Sequence, residues 1–184
     1  MSAAVLFRLR LGLAVLLAVL ATGLAIALAV PTSLPLSSWA PPVPMTVTSE
    51  ARAVAAANEN PPDLEAVERY SRATLAVRPG EPAAWARLAW AAAERGDLAE
   101  ANEALDRTYT VAPYGPDITA WRLRFAFGRW QSLTPELRAR AVDELSATYR
   151  TRYPVAEAAL ADITDPAGRL AFTFTRNSAL ADQG

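Results

Sequence analysis

Shifted against itself by 34 positions, this 184-residue chain pairs Ala55 with Ala89, Ala57 with Ala91, Asp63 with Asp97, Leu64 with Leu98, Thr74 with Thr108, Val77 with Val111 and Pro79 with Pro113. A period of that length holds two helices and their turns, and a helix pair cannot bury its apolar face alone, so neighbouring units must stack. Ser49 is the expected N-cap of a short Ala-rich helix over 50–58, stopped by Asn60-Pro61-Pro62. Asp63 caps a second helix, with Leu64, Val67, Tyr70, Ser71, Thr74 and Val77 at helical spacing, and Pro79-Gly80 ends it. Pro82 opens a third through Arg95, with Trp85, Leu88, Ala89 and Ala92 on one face; Gly96 closes it and Asp97 caps a fourth over 98–111. β-Branched residues are few and no alternating run exceeds four, so no strand is expected.

The unit from Pro82 to Pro113 places Trp85, Leu88, Ala89, Gly96, Ala101, Leu105 and Pro113 at the spacing of the tetratricopeptide repeat family, which it resembles. Ala92 stands where that family usually has Tyr, and Thr108 where it has Ala. In the unit before it, Ala51 replaces the Trp and Pro62 the helix-turn Gly. A third, stretched unit begins at Asp117 with Ile118, Trp121 and Phe125 on one face; Thr134 caps its next helix and Pro135 opens it, and the closing Pro154 lies 41 residues after Pro113. From Asp165-Pro166 a last amphipathic helix is expected to cap the array, with Leu170 and Phe174 directed inward and Phe172 as a further candidate. The fold class is therefore all-α, a solenoid of antiparallel helix pairs, with a plain helical bundle as the alternative.

The resemblance implies a binding surface lined by the first helix of each pair. On the helix 83–95 it carries Ala86, Trp90, Ala93 and Glu94; on the helix 117–130 it carries Arg122, Ala126 and Arg129, with Arg124 nearby. Guanidinium groups there would receive a partner's carboxylates in bidentate pairs. The competing expectation is that they are solvated or pair with acids of their own fold, such as Asp117 or Glu136. Trp85, Trp121 and Trp130 read as core. The helix 117–130, apolar on nearly every side, reads as the most buried.

At the N-terminus, residues 11–30 (LGLAVLLAVLATGLAIALAV) carry no charge and one hydroxyl, and twenty helical residues span about 30 Å, the hydrocarbon thickness of a bilayer. A cleaved signal peptide ending at Ala29 is the alternative, though its apolar region is usually shorter. Arg8 and Arg10 precede the span and the next basic residue is Arg52, which puts residues 1–10 in the cytoplasm and the rest in the periplasm of a Gram-negative cell. Residues 31–48 hold five Pro and no charge, so a non-helical, semi-rigid spacer of polyproline type is expected. The repeat domain then occupies 49–161 and the capping segment 162–184.

All 18 basic residues are Arg; Cys, His and Lys are absent. This removes thiolate, imidazole and Schiff-base chemistry, Cys or His metal ligation and any P-loop. Asp162 and Asp165 flank Ile163-Thr164 at a spacing that could present two carboxylates, but Pro166 after Asp165 reads it as a helix cap, and Asp117 after Pro116 is the same case. No catalytic, metal or cofactor residue is therefore assigned, and no dense basic stripe points to nucleic acid. The expectation is a non-enzymatic protein-binding or scaffold module of the bacterial inner membrane, needing no cofactor and holding another envelope component. The alternative is a structural accessory subunit of a polysaccharide or secretion assembly, docked through its membrane span.

Overall fold

The computed structural model describes Gly12, residues 16–23, Ala25 and residues 46–181. Over 46–181 the chain is helical: α1 (Thr46–Ala57), α2 (Leu64–Val77), α3 (Pro82–Glu94), α4 (Leu98–Val111), α5 (Pro116–Gly128), a 3-10 turn (Trp130–Ser132), α6 (Pro135–Thr151), α7 (Tyr153–Ala161) and α8 (Pro166–Ala181). No strand occurs among the described residues. Of the expected span 11–30, the described residues are helical, with Leu16, Leu17, Val19 and Leu20 exposed. The rest of that span, the 1–10 tail, the spacer up to residue 45 and residues 182–184 lie outside the described residues. Among the described residues no helix is long and apolar enough to cross a membrane. The chain forms two compact units, Met1–Thr74 and Leu75–Gly184, the boundary falling inside α2.

In the first unit, α1 starts at Thr46, so Thr46–Thr48 are helical, contrary to the expected spacer. Ser49 lies buried within the helix instead of capping it. Pro44 is the last proline before residue 61, so nothing after it blocks helical backbone. Asp63 caps α2 as expected, its Oδ1 accepting from Ala66 N at 2.9 Å. The Arg52 guanidinium lies 5.6 Å from the Tyr70 ring centroid, which ties α1 to α2. Val67, Tyr70, Ser71 and Thr74 are buried, whereas Val77 at the C-terminal end is exposed.

The 34-residue period is most faithful in the second helices. The bounds of α2 and α4 are offset by 34 at both ends. Their caps match, since Asp97 Oδ1 accepts from Glu100 N at 3.0 Å. Residues 67, 70, 71 and 74 are buried, and so are 101, 104, 105 and 108. Thr74 and Thr108 are both fully buried and each donates its hydroxyl back into its own helix, to Tyr70 O and Leu105 O. The period fails in the first helices: α1 buries Ala53 and Ala56, which correspond to Arg87 and Trp90 of α3, both only partly buried.

In the second unit α3 and α4 form a tight hairpin. Gly96 turns it with φ +81°, a left-handed conformation that only glycine adopts without strain, and Asp97 N donates to Ala92 O at 2.9 Å to close the helix end. Trp85 packs against the core and donates its indole N–H to Pro79 O at 2.9 Å. Helix α5 touches α3, α6, α7 and α8, and Leu123, Ala126 and Phe127 are fully buried, which agrees with its apolar circumference. It begins at Pro116 with Gly115 as cap, so Asp117 lies in its first turn rather than capping it. Thr134 Oγ1 caps α6, accepting from Leu137 N at 3.3 Å.

The end of the chain departs from expectation. Pro154 opens the separate helix α7 instead of closing a repeat. Asp165 works at two places: Oδ1 accepts from Ala167 N at 3.0 Å at the start of α8, and Oδ2 from Trp130 N at 3.1 Å. Helix α8 packs on α5 and α6, but with the opposite face from that expected. Phe172 is fully buried, edge-on to Phe127 at 5.0 Å, while Leu170 and Phe174 point outward. Gly168 sets this orientation: a Cβ there would stand 1.7 Å from Phe127 O, so the helix seats its glycine against the α5 backbone.

Candidate functional site

The residues expected along one surface separate into two environments. On α3, Ala86 is buried, Trp90 is partly buried against the core and Glu94 is exposed at the C-terminal end. Just beyond α5, Arg129 reaches across and donates to Glu94 Oε1 at 2.6 Å, with its guanidinium 4.7 Å from the Phe125 ring centroid. Phe125 stacks in turn on Trp121 at 4.7 Å. Glu94 and Arg129 thus join the C-terminal ends of α3 and α5, and Trp90 lies one turn before Glu94 on α3. Arg124 lies apart, 3.7 Å from Asp162.

Arg122 and Ala126 belong to the interior, which corrects their assignment to a partner surface. The Arg122 side chain is 0% exposed and its partner Glu144, on α6, is 6% exposed. Both Nε and Nη2 donate to Glu144 Oε1, at 3.0 and 2.5 Å, and Nη1 donates to Thr108 O and Ala112 O at 3.1 and 2.7 Å. Those carbonyls lie at the C-terminal end of α4, where they also accept from Ala112 N and Gly115 N at 3.1 and 3.3 Å and where the dipole favours a cation. Tyr109 supplies its ring face 4.5 Å from the guanidinium carbon. Thr119 donates to the same Glu144 oxygen at 2.9 Å, and Arg152 donates to Thr119 Oγ1 at 3.0 Å and to Pro116 O at 3.0 Å. One network therefore binds α4, α5 and α6 together. The arginines do pair inside the fold, with Glu144, Glu94 and Asp162 rather than with Asp117 or Glu136.

Above this network lies an open cleft of about 820 Å³ between α4, α6 and α8, bordered by Tyr109, Tyr114, Arg140, Asp143, Glu144 and Arg150. Glu144 Oε2 and the Tyr109 hydroxyl are buried neighbours here, and neither finds a hydrogen bond among the described residues. Burial first, and the adjacent Glu144 carboxylate second, push the Tyr109 phenol well above its ordinary range. It stays protonated at any physiological pH. With Arg122 bonded to Glu144 and Tyr109 held neutral, the cluster joins helices as a structural lock.

The sequence contained a sign of this lock that spacing arguments passed over. Glu144 sits on the stripe Leu137, Ala141, Leu145, Thr148, which periodicity assigns to the core. A carboxylate on an apolar stripe requires a buried cation, and Arg122 stands among Trp121, Leu123 and Phe125 on a helix that is apolar on nearly every side.

Among the described residues no group of three or more acidic side chains is placed to hold a metal ion. Comparison with protein families, with curated proteins and with solved structures gives no match to this chain.

Proposed function

We propose that this chain is a non-catalytic binding and scaffold module of the bacterial cell envelope. In this reading residues 11–30 cross the inner membrane with the N-terminus in the cytoplasm, and a degenerate tetratricopeptide-like helical domain holds a protein partner in the periplasm. The observation that supports it is the contact between α3 and α5, first helices of successive pairs, where Arg129 bonds to Glu94, with the partly buried Trp90 one turn before Glu94 on α3. Tryptophan and arginine are the side chains most often found at the centre of protein interfaces. The shared bounds, caps and buried positions of α2 and α4 support the repeat reading.

The test is a photo-crosslinking residue at position 90 in living cells. A discrete adduct that Arg129→Glu abolishes is expected. Adducts indifferent to Arg129→Glu, but lost when residues 11–30 are exchanged for an unrelated span, would favour the second reading, a structural accessory subunit docked through its membrane helix. One observation favours that second reading: Glu94 and Arg129 already satisfy each other at 2.6 Å, which lowers what either can offer a partner.

A further inference from the structure

Helix α8 has a second face that none of the described residues covers. Gly168, Phe172 and Ala179 are buried and Gly168 abuts the Phe127 carbonyl, so the rotation of the helix about its axis is set. That rotation turns Leu170 and Phe174, one turn apart, outward at 59% and 65% exposure, with Leu180 exposed a little further along. Arg169 and Arg176, seven residues apart and so on one side of the helix, flank the stripe formed by Leu170, Phe174 and Asn177. Arg169 donates to Ile163 O and Arg176 to Asn177 Oδ1; neither forms an ion pair among the described residues. Residues 166–181 contain no acid at all, and the two acids just before them are engaged, Asp162 with Arg124 and Asp165 as the double cap.

A fixed apolar stripe edged by cations on an acid-free helix is the pattern of a helix that lies in the headgroup region, with aromatic and aliphatic groups below and guanidinium groups at the phosphates. We infer that the outer face of α8 docks on the surface of a bilayer containing anionic lipid. The inference rests on the anchored reading in one respect, since a membrane span at residues 11–30 would tether the domain beside the bilayer. Tethering raises the local concentration of lipid enough for one short amphipathic face to engage.

The absence of native cysteine makes the test direct. The full chain is reconstituted in vesicles of zwitterionic lipid with or without phosphatidylglycerol, carrying an environment-sensitive label at one of three sites. Asn177→Cys lies on the stripe, Ala139→Cys is an exposed control on α6, and Leu20→Cys reports the anchor. The label at 177 is expected to shift to the blue and to be quenched by nitroxide lipid in anionic vesicles, with the label at 139 unaffected. Leu170→Ser with Phe174→Ser is expected to abolish the shift. Arg169→Gln with Arg176→Gln is expected to move the docked-to-undocked ratio about 30-fold, at roughly fivefold per basic residue near an anionic surface. Circular dichroism identifies any variant that has failed to fold.

If 177 stays water-exposed while 20 is in lipid, the inference is overturned and the anchored reading stands. A blue shift at 177 that nitroxide lipid does not quench and that grows with protein density overturns it in favour of a second copy of the chain. If 20 remains outside lipid, the anchored reading fails. The label at 177 then decides alone, lipid quenching supporting surface docking and its absence overturning it.

Discussion

The Arg122 guanidinium on α5 and the Glu144 carboxylate on α6 meet at 2.5 Å in the interior, twenty-two residues apart in sequence and both shielded from water. Removing one member leaves the other charged and buried, which costs about 3–5 kcal/mol, whereas replacing both with apolar groups of similar volume is close to neutral. Arg122→Met and Glu144→Leu are each expected to lower the denaturation midpoint steeply, and the double variant to recover most of the loss. A double-mutant cycle in urea checks this; additive losses would show that the two side chains do not act as a pair.

Arg129 makes the contrasting case. Its partner Glu94 is exposed, and a pair of that kind contributes about 0–1 kcal/mol. Arg129→Ala is therefore expected to leave stability almost unchanged in the same urea titration, and what small change occurs should vanish in high salt.

Glycine substitutions separate packing from propensity. Gly168→Ala drives a methyl group into the Phe127 backbone and is expected to unseat α8, at a cost above the roughly 1–3 kcal/mol of ordinary overpacking. Gly128→Ala, at the end of α5 with open space around the added carbon, is expected to be neutral or to stabilise by up to about 1 kcal/mol. Thermal melts of the two variants suffice, and equal effects would contradict the close approach of α8 to α5.

Alkaline pH reaches the Tyr109 phenol through linkage. Its ionisation is shifted upward in the folded chain, mainly by burial and then by Glu144, so above the ordinary phenol value of 10.0 the unfolded chain has lost a proton that the folded chain keeps. The folded state then binds more protons than the unfolded one, and stability falls as pH rises. This contribution is complete below that value and is lost above it. Tyr109→Phe is expected to flatten the alkaline decline and, by removing a buried hydroxyl without a partner, to stabilise the fold by about 1 kcal/mol at neutral pH. Tyr149, also shifted upward by burial and by its hydrogen bond to Glu157, supplies the part of the decline that remains. Urea midpoints across the alkaline range for both proteins make the comparison.

What could be read from residues alone was what depends on local chemistry. Asp63, Asp97 and Thr134 cap the helices they precede because a short side-chain oxygen next to free backbone donors needs no tertiary help. Gly96 turns because only glycine takes its φ without strain, and the 34-residue match between α2 and α4 carried through to bounds and burial. The central place of α5 also followed from its apolar circumference. Tertiary packing decided the rest. Arg122 looked like an exposed charge at helical spacing from Arg129, and only the approach of α6 brought Glu144 to its guanidinium and closed both away from water. Helix α8 offered two apolar faces of similar strength, one with Phe172 and one with Leu170 and Phe174, and periodicity cannot choose between them. The choice fell to Gly168, whose missing side chain lets one of those faces meet the α5 backbone and leaves the other outside.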